Sequence, residues 1–101
     1  MPELTGTQRK YLRGLAHALK PVAQLGKGGL TEGFLEGLDR ALDDHELVKL
    51  KFLDFKDQKQ EACAEIESRL RAECAGTIGH VAIFFRPARQ PEKRKIKLPQ
   101  S

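Results

Sequence analysis

Three glycines stand within four positions in the stretch Gly26-Lys27-Gly28-Gly29-Leu30-Thr31, between a short apolar run and a segment of helical periodicity. A chain with so few Cβ atoms at one point can pass sharply from extended backbone into a helix, and can let other atoms approach its amides. Consecutive N–H groups in such a bend can turn toward one cluster of oxygens. A helix starting at Thr31 would set its own unpaired N–H groups and positive dipole end beside the same place. Lys27 adds a point charge. The pattern therefore suits a phosphate; it equally suits a plain strand-to-helix turn, and the motif alone does not choose between them.

The flanking segments define the fold class. Thr5-x-x-Gln8 is a capping-box pattern that predicts a helix running to about Leu19. Its apolar side is Tyr11, Leu12, Leu15, Ala16 and Leu19; its basic side is Arg9, Arg13, His17 and Lys20, with Lys10 nearby and no acid within the helix to balance them. Pro21 stops it. Val22 to Leu25, bounded by proline and glycine, reads as a buried strand. Thr31 is the expected N-cap of a second helix, with Leu30 and Leu35 at hydrophobic-staple spacing and a core stripe of Phe34, Leu35, Leu38, Ala41 and Leu42. Glu32 in its first turn would oppose a bound phosphate unless it points away.

Asp43-Asp44-His45-Glu46 reads as a surface turn. Leu47 to Leu53 then alternates, with Val48, Leu50 and Phe52 on one side and Lys49 and Lys51 on the other, as in a strand with one wet face. Asp57-x-x-Gln60 opens a third, acidic helix expected to reach about Cys74, with Cys63, Ile66 and Leu70 inward. Residues 75–80 read as a strand and tight turn and Val81 to Phe85 as a last apolar strand. Cys63 and Cys74, eleven residues apart on that one helix, would lie about 16 Å from each other, too far for a disulfide. Both are expected to be small buried residues of a reducing compartment.

The order α-β-α-β-α-β-β predicts an α/β two-layer sandwich around a four-stranded mixed sheet, with a domain over residues 1–88 and a basic tail over 89–101. The tail, with Pro91, Pro99 and the run Lys93-Arg94-Lys95-Ile96-Lys97, has little to bury and is expected to be extended or disordered when free. At 101 residues the chain has room for one core. Its net charge of +4 conceals a pattern. Residues 1–30 carry five Lys/Arg against one acid, residues 31–75 seven against twelve, and residues 76–101 six against one. Two basic ends around an acidic middle suit a polyanion gripped by both ends, or merely a soluble surface. No run of apolar residues is long enough to span a membrane, and a cytoplasmic location is expected.

The motifs also resemble a known family. Leu15-Ala16-His17-x-Leu19-Lys20-Pro21-Val22, Leu25-Gly26-x-x-Gly29-Leu30-Thr31-Glu32-Gly33, His45-Glu46-Leu47-Val48-Lys49 and Phe85-Arg86-Pro87 together resemble the CRM domain, in its small bacterial YhbY-type form. The tail Lys93-Arg94-Lys95-Ile96-x-Leu98-Pro99 is similar to the ending of those proteins, so the resemblance spans about Leu4 to Pro99. It implies a domain similar to the C-terminal domain of translation initiation factor three and RNA binding through a loop like that of KH domains. It further implies, for bacterial members, work on precursor large ribosomal subunits, and for plant relatives, group II intron splicing.

The expected partner is RNA, most specifically large-subunit ribosomal RNA, bound by a monomer with no cofactor, metal or small-molecule substrate. The residues expected to contact it are Gly26, Lys27, Gly28, Gly29 and Thr31 in the loop, Arg9, Lys10, Arg13, His17 and Lys20 from the first helix, and Arg86, Lys93, Arg94 and Lys95 from the end. Catalysis is not expected, because His17, His45 and His80 fall in different elements with no triad order or metal spacing. A DNA-binding or protein-bridging module is the competing expectation.

Overall fold

The computed structural model describes residues 3–26, 28–53 and 59–100. The elements follow the expected order: α1 (Gly6–Ala16), β1 (Ala23–Leu25), α2 (Glu32–His45), β2 (Leu47–Phe52), α3 (Lys59–Leu70), β3 (Glu73–Ile78) and β4 (Val81–Phe85). The strands form one mixed sheet in the order β1-β2-β4-β3, with β1 parallel to β2 and the other pairs antiparallel. Helices α2 and α3 form the second layer of the α/β sandwich, and α1 lies on the opposite face of the sheet.

Alternation in β2 produces this arrangement. Val48, Leu50 and Phe52 point to the α2–α3 side, where they join Leu35, Leu38, Leu42, Ile66 and Phe84 in the larger core. Leu47 points to the other side and meets Leu12, Ala16, Ile83 and Phe85 under α1. The sheet therefore buries a hydrophobic cluster on each face, where the chain length suggested room for one core, and the expected wet face is wet only around Lys49 and Lys51. Lys49 donates from Nζ to the Leu19 carbonyl, 2.9 Å away, tying the end of the α1 segment to the strand.

Local signals locate the helix starts. The Thr5 hydroxyl accepts from the Gln8 amide while the Gln8 side chain accepts from the Thr5 amide, completing the capping box. Thr31 caps α2 by accepting from Phe34 N–H at 3.1 Å. Two ends differ from expectation. Helix α1 stops at Ala16, three residues short of Leu19: His17 keeps helical backbone, but the Leu19 N–H closes a tighter bond on the Ala16 carbonyl at 2.9 Å, ending the turn ahead of Pro21. Only Leu12 and Ala16 of its apolar side are buried; Tyr11, Leu15 and Leu19 are exposed.

Helix α3 ends at Leu70, and Arg71 takes a left-handed backbone at φ 55° that turns the chain into β3. Cys74 is thus a strand residue, its amide capped by the Glu67 carboxylate at 2.8 Å. This corrects the single-helix placement of the cysteines: the turn returns Cys74 to the core that buries Cys63, and both are free thiols. The Cys63 thiol is pushed up, first by its hydrogen bond to Cys74 and then by burial. The start signal at Asp57 lies outside the described residues. Among the described residues no helix is long and apolar enough to cross a membrane.

Candidate nucleic-acid interface

The glycine loop closes on itself at one point. Gly29 adopts φ 70°, a left-handed conformation natural to glycine, and its N–H donates to the Gly26 carbonyl at 3.1 Å. The Gly29 amide, expected to face a phosphate, is therefore occupied within the turn. Gly28 is exposed, its amide has no backbone partner among the described residues, and a Cβ built there would meet nothing within 4 Å. Lys27 lies outside the described residues. The Thr31 hydroxyl caps α2 and its N–H donates to the Gly29 carbonyl at 3.0 Å, so both are used within the turn, contrary to the expected phosphate contact. Glu32 does not compete for the loop: its carboxylate is paired with Arg69 of α3 at 2.7 Å.

The structure separates the cations that the sequence groups together. Arg9 donates to the Cys74 carbonyl at 2.7 Å, and Arg13 to the Ala75 carbonyl at 3.1 Å. Both side chains thus lie against β3, at the sheet edge opposite β1 and the glycine loop, with three strand spacings or about 14 Å between the edges. Glu73 and Glu3 lie within 4.0 Å of Arg9, so acids from outside the helix balance it. Gly76 makes room for Arg13: a Cβ there would come within 2.8 Å of the Arg13 Cδ. These two arginines pin α1 to the sheet and do not converge on the loop. Lys10, His17 and Lys20 are exposed.

Arg86 is a clear correction. It is 5% exposed, and its Nη1 and Nη2 donate to Asp39 Oδ1, the Leu70 carbonyl, the Asp39 carbonyl and Asp43 Oδ1 at 2.6–3.1 Å. The four terminal N–H groups are directed inward and the fifth donor, Nε, is buried without a partner, so the guanidinium presents nothing to a phosphate. Arg89 joins the same two aspartates from outside.

The tail, expected to be extended or disordered when free, is docked along the domain without regular secondary structure beyond Lys93. The residue responsible is Glu46, expected on the surface yet 1% exposed. At φ 64° it ends α2 in a conformation unusual for a residue with a side chain. Its Oε2 accepts from Ala88 N–H at 2.9 Å, and its Oε1 from Lys95 and Ile96 N–H at 2.7 and 3.0 Å. Burial pushes the Glu46 carboxyl up, but the three N–H donors and the Arg94 charge outweigh it and hold the group below its ordinary value. Ile96 and Leu98 then pack against the α1 core, and Gln8 donates to the Pro99 carbonyl at 2.9 Å. The backbone that carries the tail cations is thereby fixed. Lys95 shares a cleft with Lys20, while Lys93 stands beside Asp43 and Arg89. Arg94 binds the Ala88 carbonyl through Nε at 2.8 Å.

Nothing in the charge pattern singles out Glu46, because one carboxylate after three other polar residues looks like a turn. Only its place in the His45-Glu46-Leu47-Val48-Lys49 motif set it apart. Among the described residues, no three or more His, Cys, Asp or Glu side chains come together to hold a metal ion.

Comparison with known proteins agrees with this architecture. The model of the CRS1 / YhbY (CRM) domain matches residues 4–86. The chain belongs to the CRM domain family. Relatives of this CRM domain include a Haemophilus influenzae protein named "RNA-binding protein", 41% identical over 101 residues and 99% of each chain. Another, from Pseudomonas aeruginosa, is named "Probable RNA-binding protein" and is 38% identical, covering 89% of this chain and 88% of the other. A solution structure from Staphylococcus aureus superposes on the CRM domain described here with a TM-score of 0.81 at 35% identity, covering 96% of this chain and 100% of that one.

Proposed function

We propose that this protein is a non-enzymatic, monomeric RNA-binding factor of the cytoplasm, acting on the ribosomal RNA of large-subunit precursors. Its family membership and the names of its relatives support RNA as the partner. The observation that carries the reading is the pairing of Glu32 with Arg69 beside an exposed Gly28, which leaves an unopposed glycine turn at the start of α2. A phosphate held there by the amides at Gly28 and the first turn of α2, with Lys27 adding charge, would lie next to the β1 edge. Lys20 and Lys95 continue the track, with Lys93 and Arg94 beyond; Lys10 and His17 extend it along α1. Phosphate contacts fix position without reading sequence, so recognition rests on the shape of folded RNA.

A gel-shift titration comparing structured ribosomal RNA with duplex DNA tests this. If about six phosphates are engaged, affinity for RNA falls by roughly three orders of magnitude between 50 and 200 mM salt. Lys27→Asp weakens RNA binding and leaves the melting temperature unchanged. Equal affinity for duplex DNA and RNA, or no salt-sensitive RNA binding, would overturn the reading in favour of a DNA-binding or protein-bridging module.

A further inference from the structure

On the α1 face, between the end of the α1 segment, the start of β1 and the docked tail, lies a cleft of about 430 Å³. That volume falls within the range of sites that take small organic groups, roughly 300–1,000 Å³. Its walls include Leu15, Leu19, Val22 and Ile96 together with His45, and its rim carries Lys20 and Lys95. Leu15, Leu19 and Val22 are 39%, 40% and 47% exposed, so three large apolar side chains stand open to solvent around one concavity. Each belongs to an element that is itself held in place. Lys49 fixes the Leu19 carbonyl, the Val22 amide donates to the Lys49 carbonyl at 3.0 Å, and Glu46 fixes the Ile96 amide.

We infer that this cleft receives an unstacked base of single-stranded RNA, its flanking phosphates held by Lys20 and Lys95. The inference rests on the RNA-binding function proposed above. Charge selects the occupant. A base offers two apolar faces between anionic groups, and the cleft offers aliphatic walls between cations. A hydrophobic protein helix would leave both lysines unanswered. Position agrees as well. The cleft opens at the start of β1 and the glycine turn lies at its end, about 13 Å along the strand at ~3.3 Å per residue, within reach of one short RNA strand. The aliphatic walls sense whether a base is free and not which base it is; His45, also in the lining, has the ring nitrogens to hydrogen-bond a base edge. An RNA with an unpaired nucleotide beside a phosphate that meets the glycine turn would satisfy both.

The test uses the full chain and a short single-stranded RNA, intact or with one abasic position. Intact RNA should bind the wild-type protein roughly tenfold more tightly than abasic RNA, the scale of burying one apolar group the size of a side chain. Leu19→Gln and Val22→Thr should erase that preference and leave both the affinity for abasic RNA and the salt dependence unchanged. In the unaltered protein, 4-thiouridine placed in the RNA should cross-link to the segments holding Leu19 and Ile96. Equal binding of intact and abasic RNA, with strong salt dependence preserved, would overturn the cleft while leaving the proposed function standing. Absence of salt-sensitive RNA binding would remove both. A wild-type protein that sediments as a dimer and becomes monomeric in Leu19→Gln would give the cleft to a second copy of the chain.

Discussion

Two charged regions of this molecule, the knot around Arg86 and the edge along β1, look alike in sequence and behave oppositely in the fold. At Arg86 a guanidinium is buried under two aspartates and two carbonyls, with each terminal N–H directed to an internal oxygen. At the β1 edge, Gly28, Lys20 and Lys95 face solvent, and Glu32, the nearest acid in sequence after the loop, is already paired. The difference separates the cations the fold has already paired from those it leaves open to a ligand. Counting basic residues measures both kinds together. In this protein arginine mostly holds the domain, because its planar fork can satisfy several carbonyls at once, whereas the exposed lysines remain single mobile charges.

The sharpest way to break the comparison is to remove the knot. Arg86→Met should destabilise by about 3 kcal/mol, the lower end for breaking a buried ion pair, because Arg89 still pairs with both aspartates. For a domain of this size that lowers the melting temperature by more than about 10 °C, measurable by calorimetry. RNA affinity measured well below the transition should stay at the wild-type value. A variant that melts normally but loses RNA would return Arg86 to the interface.

Next in size is the anchor of the tail. Glu46→Gln offers one carbonyl oxygen where the carboxylate's two oxygens accept three N–H groups, and should cost about 2 kcal/mol. The pH dependence follows from direction alone. The folded carboxyl sits below its ordinary value of 4.5, so protons favour the unfolded chain. The stabilisation is present in full above that value and is lost as pH falls through the lower folded one. The gap in melting temperature between wild type and Glu46→Gln should therefore be widest near neutrality and close in acid. A gap constant with pH would mean that the carboxylate charge has no part in holding the tail.

A smaller effect tests the other sheet edge. Arg13→Gln removes the bond to Ala75 and the packing over Gly76, and should cost about 1 kcal/mol with RNA affinity unchanged. Lost RNA affinity at full stability would put Arg13 back on the proposed track.

What the sequence revealed was what neighbours along the chain decide. Thr5 with Gln8 and Thr31 with Phe34 fix two helix starts by contacts three residues long. Alternation in β2 needs nothing outside the strand, and the succession of helices and strands along the chain followed from such local periods, whereas the strand order β1-β2-β4-β3 did not. Hidden from that view was everything settled at long range. Arg9 and Arg13 meet β3 across more than 60 residues of chain, and Glu46 meets the tail across more than 40. The end of α3 was misjudged because the acidic helical pattern continues past Leu70, while the reversal is fixed by Arg71 backbone and the Glu67 carboxylate. The glycine turn was legible as a bend, but the internal use of the Gly29 amide was not.

The least costly substitution sharpens the comparison most directly. Lys20→Gln touches an exposed side chain with no role in the described hydrogen bonds, so the melting temperature should shift by less than about 4 °C, as for surface changes within ±0.5 kcal/mol. If Lys20 binds a phosphate, the slope of log affinity against log salt should decrease in magnitude by about one, uniformly across RNA sequences. Arg9→Gln, by contrast, should leave that slope unchanged while lowering stability, because its guanidinium is directed at the Cys74 carbonyl. Matched slopes in the two variants would mean that internal pairing does not decide which cations reach RNA, since Arg9 is paired inside the fold and Lys20 faces water. Opposite responses would locate the RNA track on the β1 edge without any need to identify the RNA first.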